Sequence, residues 1–298
     1  MNGIIVINKG QSFTSFDVVA VMRKISGQRK IGHCGTLDPN ATGVLPLLLG
    51  NATKAQDIIP NHDKEYVAEF RLGATSDTLD IWGNVTEIQK PDISLEKLGD
   101  ALEKFKGNIR QIPPMYSAIQ INGQRLYDLA RKGIEVERES REVTVYSLEL
   151  LDFNAQTQEG RIRIFCSKGT YIRTLIDDIG KELGCGAVMT SLERTKACGY
   201  TLENAATLDK AKQMAENGTL QSVLLPVESL FEQYKSVTVT EAQARRFKNG
   251  GQLDISRTSL SNGCEDKEIY RVKDKEGAFL GLGITDLDDG LLKIYKMF

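Results

Sequence analysis

The chain has 298 residues, 41% hydrophobic and 26% charged, with a net charge of −2. That length allows about two domains, and the balance is ordinary for a globular protein. It argues against a membrane span, since no apolar run approaches the roughly 20 residues one needs, and against a uniformly basic nucleic-acid binder.

Residues 3–8 (GIIVIN) read as a buried strand. Thr14, Ser15 and Asp17 can cap a helix through residues 18–25, where Val18, Val21, Met22 and Ile25 share one face and Ser26-Gly27 stops it. Residues 32–50 (GHCGTLDPNATGVLPLLLG) set Asp38 between Gly35 and Pro39, ahead of an apolar run. A residue before proline is pushed into extended geometry, and the glycines permit tight turns and close approach to the main chain. This is either a carboxylate presented for chemistry or an Asp-Pro turn before a buried strand. Residues 66–73 alternate apolar and polar as a strand does, and residues 75–80 with 82–84 form a polar turn region.

Residues 95–105 are helical in pattern, with Gly107 beyond them. Pro113-Pro114 keeps residues 111–123 out of regular helix. A short helix over 126–132 ends at Gly133, and 143–153 with 161–167 alternate like paired strands. Residues 171–183 form an amphipathic helix that Thr170 can cap and Gly184 closes. Another helix follows at 207–216, capped by Thr207 and stopped by Gly218. Beyond about residue 234, short strands at 236–240, 269–272, 278–284 and 291–295, with turns at 274–277 and 288–290, read as a small all-β module or as an edge of the main sheet. Strands and helices interleave without a regular βαβ period. The expected fold class is therefore α+β, a mixed and mainly antiparallel sheet with flanking helices. Two domains are expected, 1–233 and a β module at 234–298.

Cys34, Cys166, Cys185, Cys198 and Cys264 are odd in number and form no C-x-x-C pair, against both a disulfide framework and a zinc site. The two histidines, His33 and His62, cannot build a His-rich metal centre, although carboxylate-bound magnesium stays open. Residues 1–10 lack the features of a signal peptide, so a cytoplasmic location is expected. Residues 1–60 carry six Lys/Arg against three acids, and 161–200 seven against four. These are a basic face if they fold together, or dispersed solvated charges. Tyr66 is a core aromatic or a stacking platform for a base. Arg173 lies in a first helical turn, where the macrodipole disfavours a cation, so it either has an anionic partner or is merely exposed. His33 is a turn residue or a ring that wedges into nucleic acid. Asp77 and Asp80 cap a turn or orient a catalytic group. The adjacent Asp177 and Asp178 face different directions and do not make a carboxylate pair.

Four segments, GHCGTLDPNATGVLP, KEYVAEFRLGATSDTLDIWG, QIPPMYSAIQINGQRLYDLARKG and CSKGTYIRTLIDDIGKELGCGA, with the opening INKGQSFTSFDVV, resemble the bacterial tRNA pseudouridine(55) synthases, the TruB family. The resemblance implies isomerisation of a flipped-out uridine in the tRNA T-loop, without cofactor or metal, by a stand-alone monomer that needs no guide RNA. It implies that Asp38 is the catalytic aspartate, that Tyr66 stacks on the target base, and that Arg173 pairs with the carboxylate. It further implies that His33 contacts the T-loop, that Lys9 packs near the site, and that Asp77 and Asp80 lie near the tyrosine. Residues 234–298 resemble the family's small RNA-binding domain, called PUA. Two departures stand out: Gly10 follows Lys9 where the family usually has proline, and Cys34 stands where threonine or another small residue is common. The rival readings are a guide-RNA-dependent synthase, a tRNA-binding folding helper in which catalysis is incidental, and a glycosidase of free nucleosides.

Overall fold

The computed structural model describes residues 1–88, 91–121 and 123–298. A ten-stranded sheet forms the body of the protein. Its main path runs Ala206–Thr207, Gly3–Lys9, Thr42–Leu49, Ala187–Ala197, Lys64–Leu72, Glu159–Cys166, Arg141–Asn154, Gly107–Gln111. Ile31–His33 pairs with Thr42–Leu49, and Tyr200–Thr201 with Ala187–Ala197. Neighbours are antiparallel except at Gly3–Lys9 with Ala206–Thr207 and at Thr42–Leu49 with Ala187–Ala197. The sheet is mixed and mainly antiparallel, as the interleaved pattern predicts.

The helix Ser15–Ser26 starts at Thr14, whose side chain and that of Asp17 form a reciprocal capping box, and ends at the left-handed Gly27. It buries Val18, Val19 and Met22 against the sheet, in one core with Ile5, Ile7, Leu45 and Leu47. The helix Ile172–Glu182 lies against Ala187–Ala197 so closely that a Cβ on Gly180 would sit 2.2 Å from the Ala187 nitrogen. Thr170 does not cap this helix. Its hydroxyl donates to the Ser167 carbonyl, while the buried Gln111 side chain bonds both the N–H and the C=O of Tyr171.

The polar turn over 75–84 is framed by a small hairpin, Ala74–Ser76 with Val85–Glu87. The irregular 111–123 segment contains Gln120–Ile121, paired with Gln124–Arg125; Asn122 lies outside the described residues. A separate five-stranded sheet is drawn from residues 236–296, so the C-terminal strands are not an edge of the main one. That module also holds a helix, Glu241–Lys248. The alternation of SVTVT reads as strand to residue 240, but the strand stops at Thr238 because Thr240 turns to cap this helix, with Gln243 closing the box. Phe231 packs on Phe279 and Phe298, and Glu228 binds Arg271 at 2.9 Å and Lys273 at 2.7 Å, joining the second sheet to the body. No helix among the described residues is long and apolar enough to cross a membrane.

Candidate active site

The loop between Ile31–His33 and Thr42–Leu49 carries Asp38, and it is tied down on several sides. The Ser15 hydroxyl accepts from the Leu37 N–H at 2.8 Å and donates to the Leu37 carbonyl at 3.3 Å. On the far side of the aspartate, the Lys9 ammonium donates to the Pro39 carbonyl at 3.0 Å, and also to those of Gly10 and Phe13. Lys9 is fully buried, and burial lowers its pKa to about 8 against the pull of Asp38.

Arg173 meets the carboxylate: its Nε lies 2.9 Å from Asp38 Oδ2. This partner accounts for a cation in the first turn of a helix. The same guanidinium donates to the Thr78 carbonyl at 3.0 Å and the Tyr116 carbonyl at 2.8 Å, and stands 3.9 Å from Asp80 Oδ2. One planar fork thus gathers three segments distant in sequence. The Arg173 side chain is 6% exposed and that of Asp38 39%, so the arginine backs a carboxylate that faces solvent.

Asp80 is buried and accepts from the Thr78 hydroxyl at 2.6 Å and the Trp82 N–H at 3.1 Å; burial raises its pKa. Asp77 behaves differently. It binds the main chain and side chain of Asn84 and closes the turn, away from Arg173. Tyr66 is buried. Burial raises its hydroxyl to about 12, while the Arg194 charge acts in the opposite direction. His33 is half-buried just before the loop, and burial followed by the Arg194 charge lowers its pKa. Lys181 contacts both Asp177, at 2.5 Å, and Asp178, at 3.6 Å, so these aspartates form an ion-pair cluster rather than an acid/base dyad.

The structure therefore brings Asp38, Arg173 and Asp80 together, seats Lys9 against the same loop, sets Tyr66 close enough for the Asp38 charge to act on it, and leaves Asp77 in a turn. It adds Arg194, which sequence reading counts only as a charge. Arg194 is fully buried and donates to the carbonyls of Val44 at 2.7 Å, Thr36 at 3.3 Å and Gly35 at 3.1 Å. The basic excess of the two segments is thus partly internal: Lys9, Arg173 and Arg194 all point into the fold. Among the described residues, no group of three or more His, Cys, Asp or Glu is placed to hold a metal ion.

The loop thus holds a carboxylate that is open to solvent on one side and backed by a buried guanidinium, an arrangement chemically suited to nucleophilic or acid/base work. Comparison with known proteins places the whole chain. The pattern described as "TruB family pseudouridylate synthase (N terminal domain)" matches residues 23–172, and "tRNA pseudouridylate synthase B C-terminal domain" matches 173–232. A protein of Clostridium tetani named tRNA pseudouridine synthase B is 46% identical over 95% of each chain. One of the same name from Clostridium acetobutylicum is 39% identical over 100% of this chain and 99% of its own. The fold is also that of a chain in a Cbf5–Nop10–Gar1 complex, with TM-score 0.73 and 25% identity over 99% of this chain and 84% of that one. A chain in an H/ACA ribonucleoprotein bound to a substrate RNA containing 2′-deoxyuridine gives TM-score 0.74 at 24% identity, over 99% and 84%.

The chain belongs to the TruB family of pseudouridylate synthases. It is an isomerase that forms pseudouridine.

Proposed function

We propose that the protein converts uridine to pseudouridine at position 55 in the T-loop of tRNA, as a stand-alone cytoplasmic monomer without guide RNA or cofactor. The observation that carries this reading is the Asp38–Arg173 pair, 2.9 Å apart, with the carboxylate on the solvent side. The names of the relatives support tRNA as the substrate.

The reaction breaks the bond from C1′ to N1 of uracil, turns the base, and joins C1′ to C5, which then loses its proton. Carbon–nitrogen cleavage is assisted by the Asp38 carboxylate acting on a uridine drawn out of the stack, at an unstacking cost of a few kcal/mol. Arg173 holds the carboxylate oxygen toward the incoming nucleotide, and Lys9 and Ser15 stop the loop from yielding. Tyr66 is the aromatic side chain that stacks on the extruded base, and His33 stands at the loop's entrance, where T-loop nucleotides approach. Residues 234–298 act as a distinct RNA-binding module that extends the contact along the tRNA.

Purified protein and an unmodified tRNA transcript, with no other RNA, test this. Pseudouridine is expected at one T-loop uridine and absent when that uridine is replaced by cytidine. Modification elsewhere, or only after an RNA fraction is added, would refute the reading.

A further inference from the structure

Arg194 is fully buried, and the hydrogen bonds of its guanidinium go to main-chain carbonyls rather than to any carboxylate among the described residues. Burying an unpaired guanidinium is costly, and an apolar side chain would pack there at less cost. Its hydrogen bonds show what the charge does instead. Two of its nitrogens reach the consecutive carbonyls of Gly35 and Thr36, two residues short of Asp38, and Nε reaches Val44 in the strand that leaves the loop. Both ends of the loop are therefore held by one planar group from beneath, where a lysine would offer a single nitrogen.

The backbone places this group deliberately close. Arg194 is the register partner of Gly43 on one side and of Tyr66 on the other. Gly43 sits at φ +103°, and a Cβ there would lie 2.2 Å from the Arg194 carbonyl oxygen, so the strands approach more tightly than any side chain allows. Cross-strand partners present their side chains to the same face, which sets the guanidinium beside the tyrosine as well as under the loop. Its charge opposes the rise that burial imposes on the Tyr66 hydroxyl.

We propose that Arg194 is a positioning residue for pseudouridine formation, fixing the Asp38 loop and the Tyr66 ring in one mutual geometry. This rests on the function proposed above. Arg194 does not touch the nucleotide, so its effect falls on the chemical step and not on tRNA binding.

The test compares wild type, Arg194→Gln and Arg194→Lys in single-turnover pseudouridine formation on a tRNA transcript, with tRNA Kd and urea melts measured alongside. Arg194→Gln is expected to lose about 100-fold in rate, the usual result of a misplacement near 1 Å, with Kd held within about threefold. Arg194→Lys is expected to recover roughly tenfold of that loss, since it keeps the charge but not the fork. A folded Arg194→Gln turning over at the wild-type rate would overturn the proposal. So would parallel losses of rate and affinity, or failure of both variants to fold, since those mark a purely structural residue. A silent wild type would instead overturn the function itself, and this inference with it.

Discussion

Arg173 is the residue whose removal has the most readable consequences. Its guanidinium serves Asp38, the Thr78 carbonyl and the Tyr116 carbonyl at 2.8–3.0 Å, and faces Asp80 at 3.9 Å. Arg173→Met withdraws every one of these. The two carbonyls lose charged donors, each worth about 1.5–3 kcal/mol where desolvated and less in this half-buried setting. Asp38 regains water, so its share is small. Asp80 stays buried without its cation, which adds to the loss. The expected sum is about 3–4 kcal/mol, within the typical stability of about 5–15 kcal/mol, so the variant still folds at 25 °C. Arg173→Lys keeps the charge but cannot fill the fork, and is expected to lose about 1–2 kcal/mol. Both variants are expected to form pseudouridine at least about 100-fold more slowly, because the contact that fixes the carboxylate is gone. Urea melts read the first effect and single-turnover assays the second. A lysine variant with wild-type rate would refute the claim that the fork, not the charge, positions Asp38. A methionine variant with wild-type stability would refute the claim that this residue ties three segments together.

Two further outcomes follow from packing and titration. Gly43→Ala places a methyl group 2.2 Å from the Arg194 carbonyl at φ +103°, and is expected to cost about 3 kcal/mol or more; an unchanged thermal midpoint would contradict this. Burial lowers Lys9 to about 8 from its ordinary 10.5, so between those values the unfolded chain binds more protons than the folded one. Stability therefore rises with pH across that window, and the cost is fully present below it. Relative to Lys9→Met, the wild type is expected to gain up to about 3 kcal/mol between pH 8 and pH 10.5 in denaturant titrations; a flat difference would contradict it.

Much of the site was legible because its signals are local. The Asp-Pro step with its neighbouring glycines, and the cation misplaced in a first helical turn, each raise a question within a few residues, and the two meet in the Asp38–Arg173 pair. Arg194 raises no such question. It lies in Ala187–Ala197, a central strand that the pattern hides, because register shifts at Met189/Ser191 and Arg194/Lys196 break the two-residue alternation. Its charges also read as surface, whereas Arg194 is fully buried. For Asp77 the sequence leaves two readings open, because turn chemistry and catalytic positioning select the same residue type, and the bonds to Asn84 show it closing the turn. The helix Glu241–Lys248 was hidden by the SVTVT alternation, whose last threonine is a cap.

The measurement that bears most directly on the central claim uses an unmodified tRNA transcript tritiated at uridine C5. Tritium release is followed with wild type and with Asp38→Asn, without added cofactor or guide RNA. Release of about one equivalent per tRNA from wild type, and none from a folded, tRNA-binding Asp38→Asn, is the predicted result. Release from Asp38→Asn at the wild-type rate would show that this carboxylate is not the one that acts on the base.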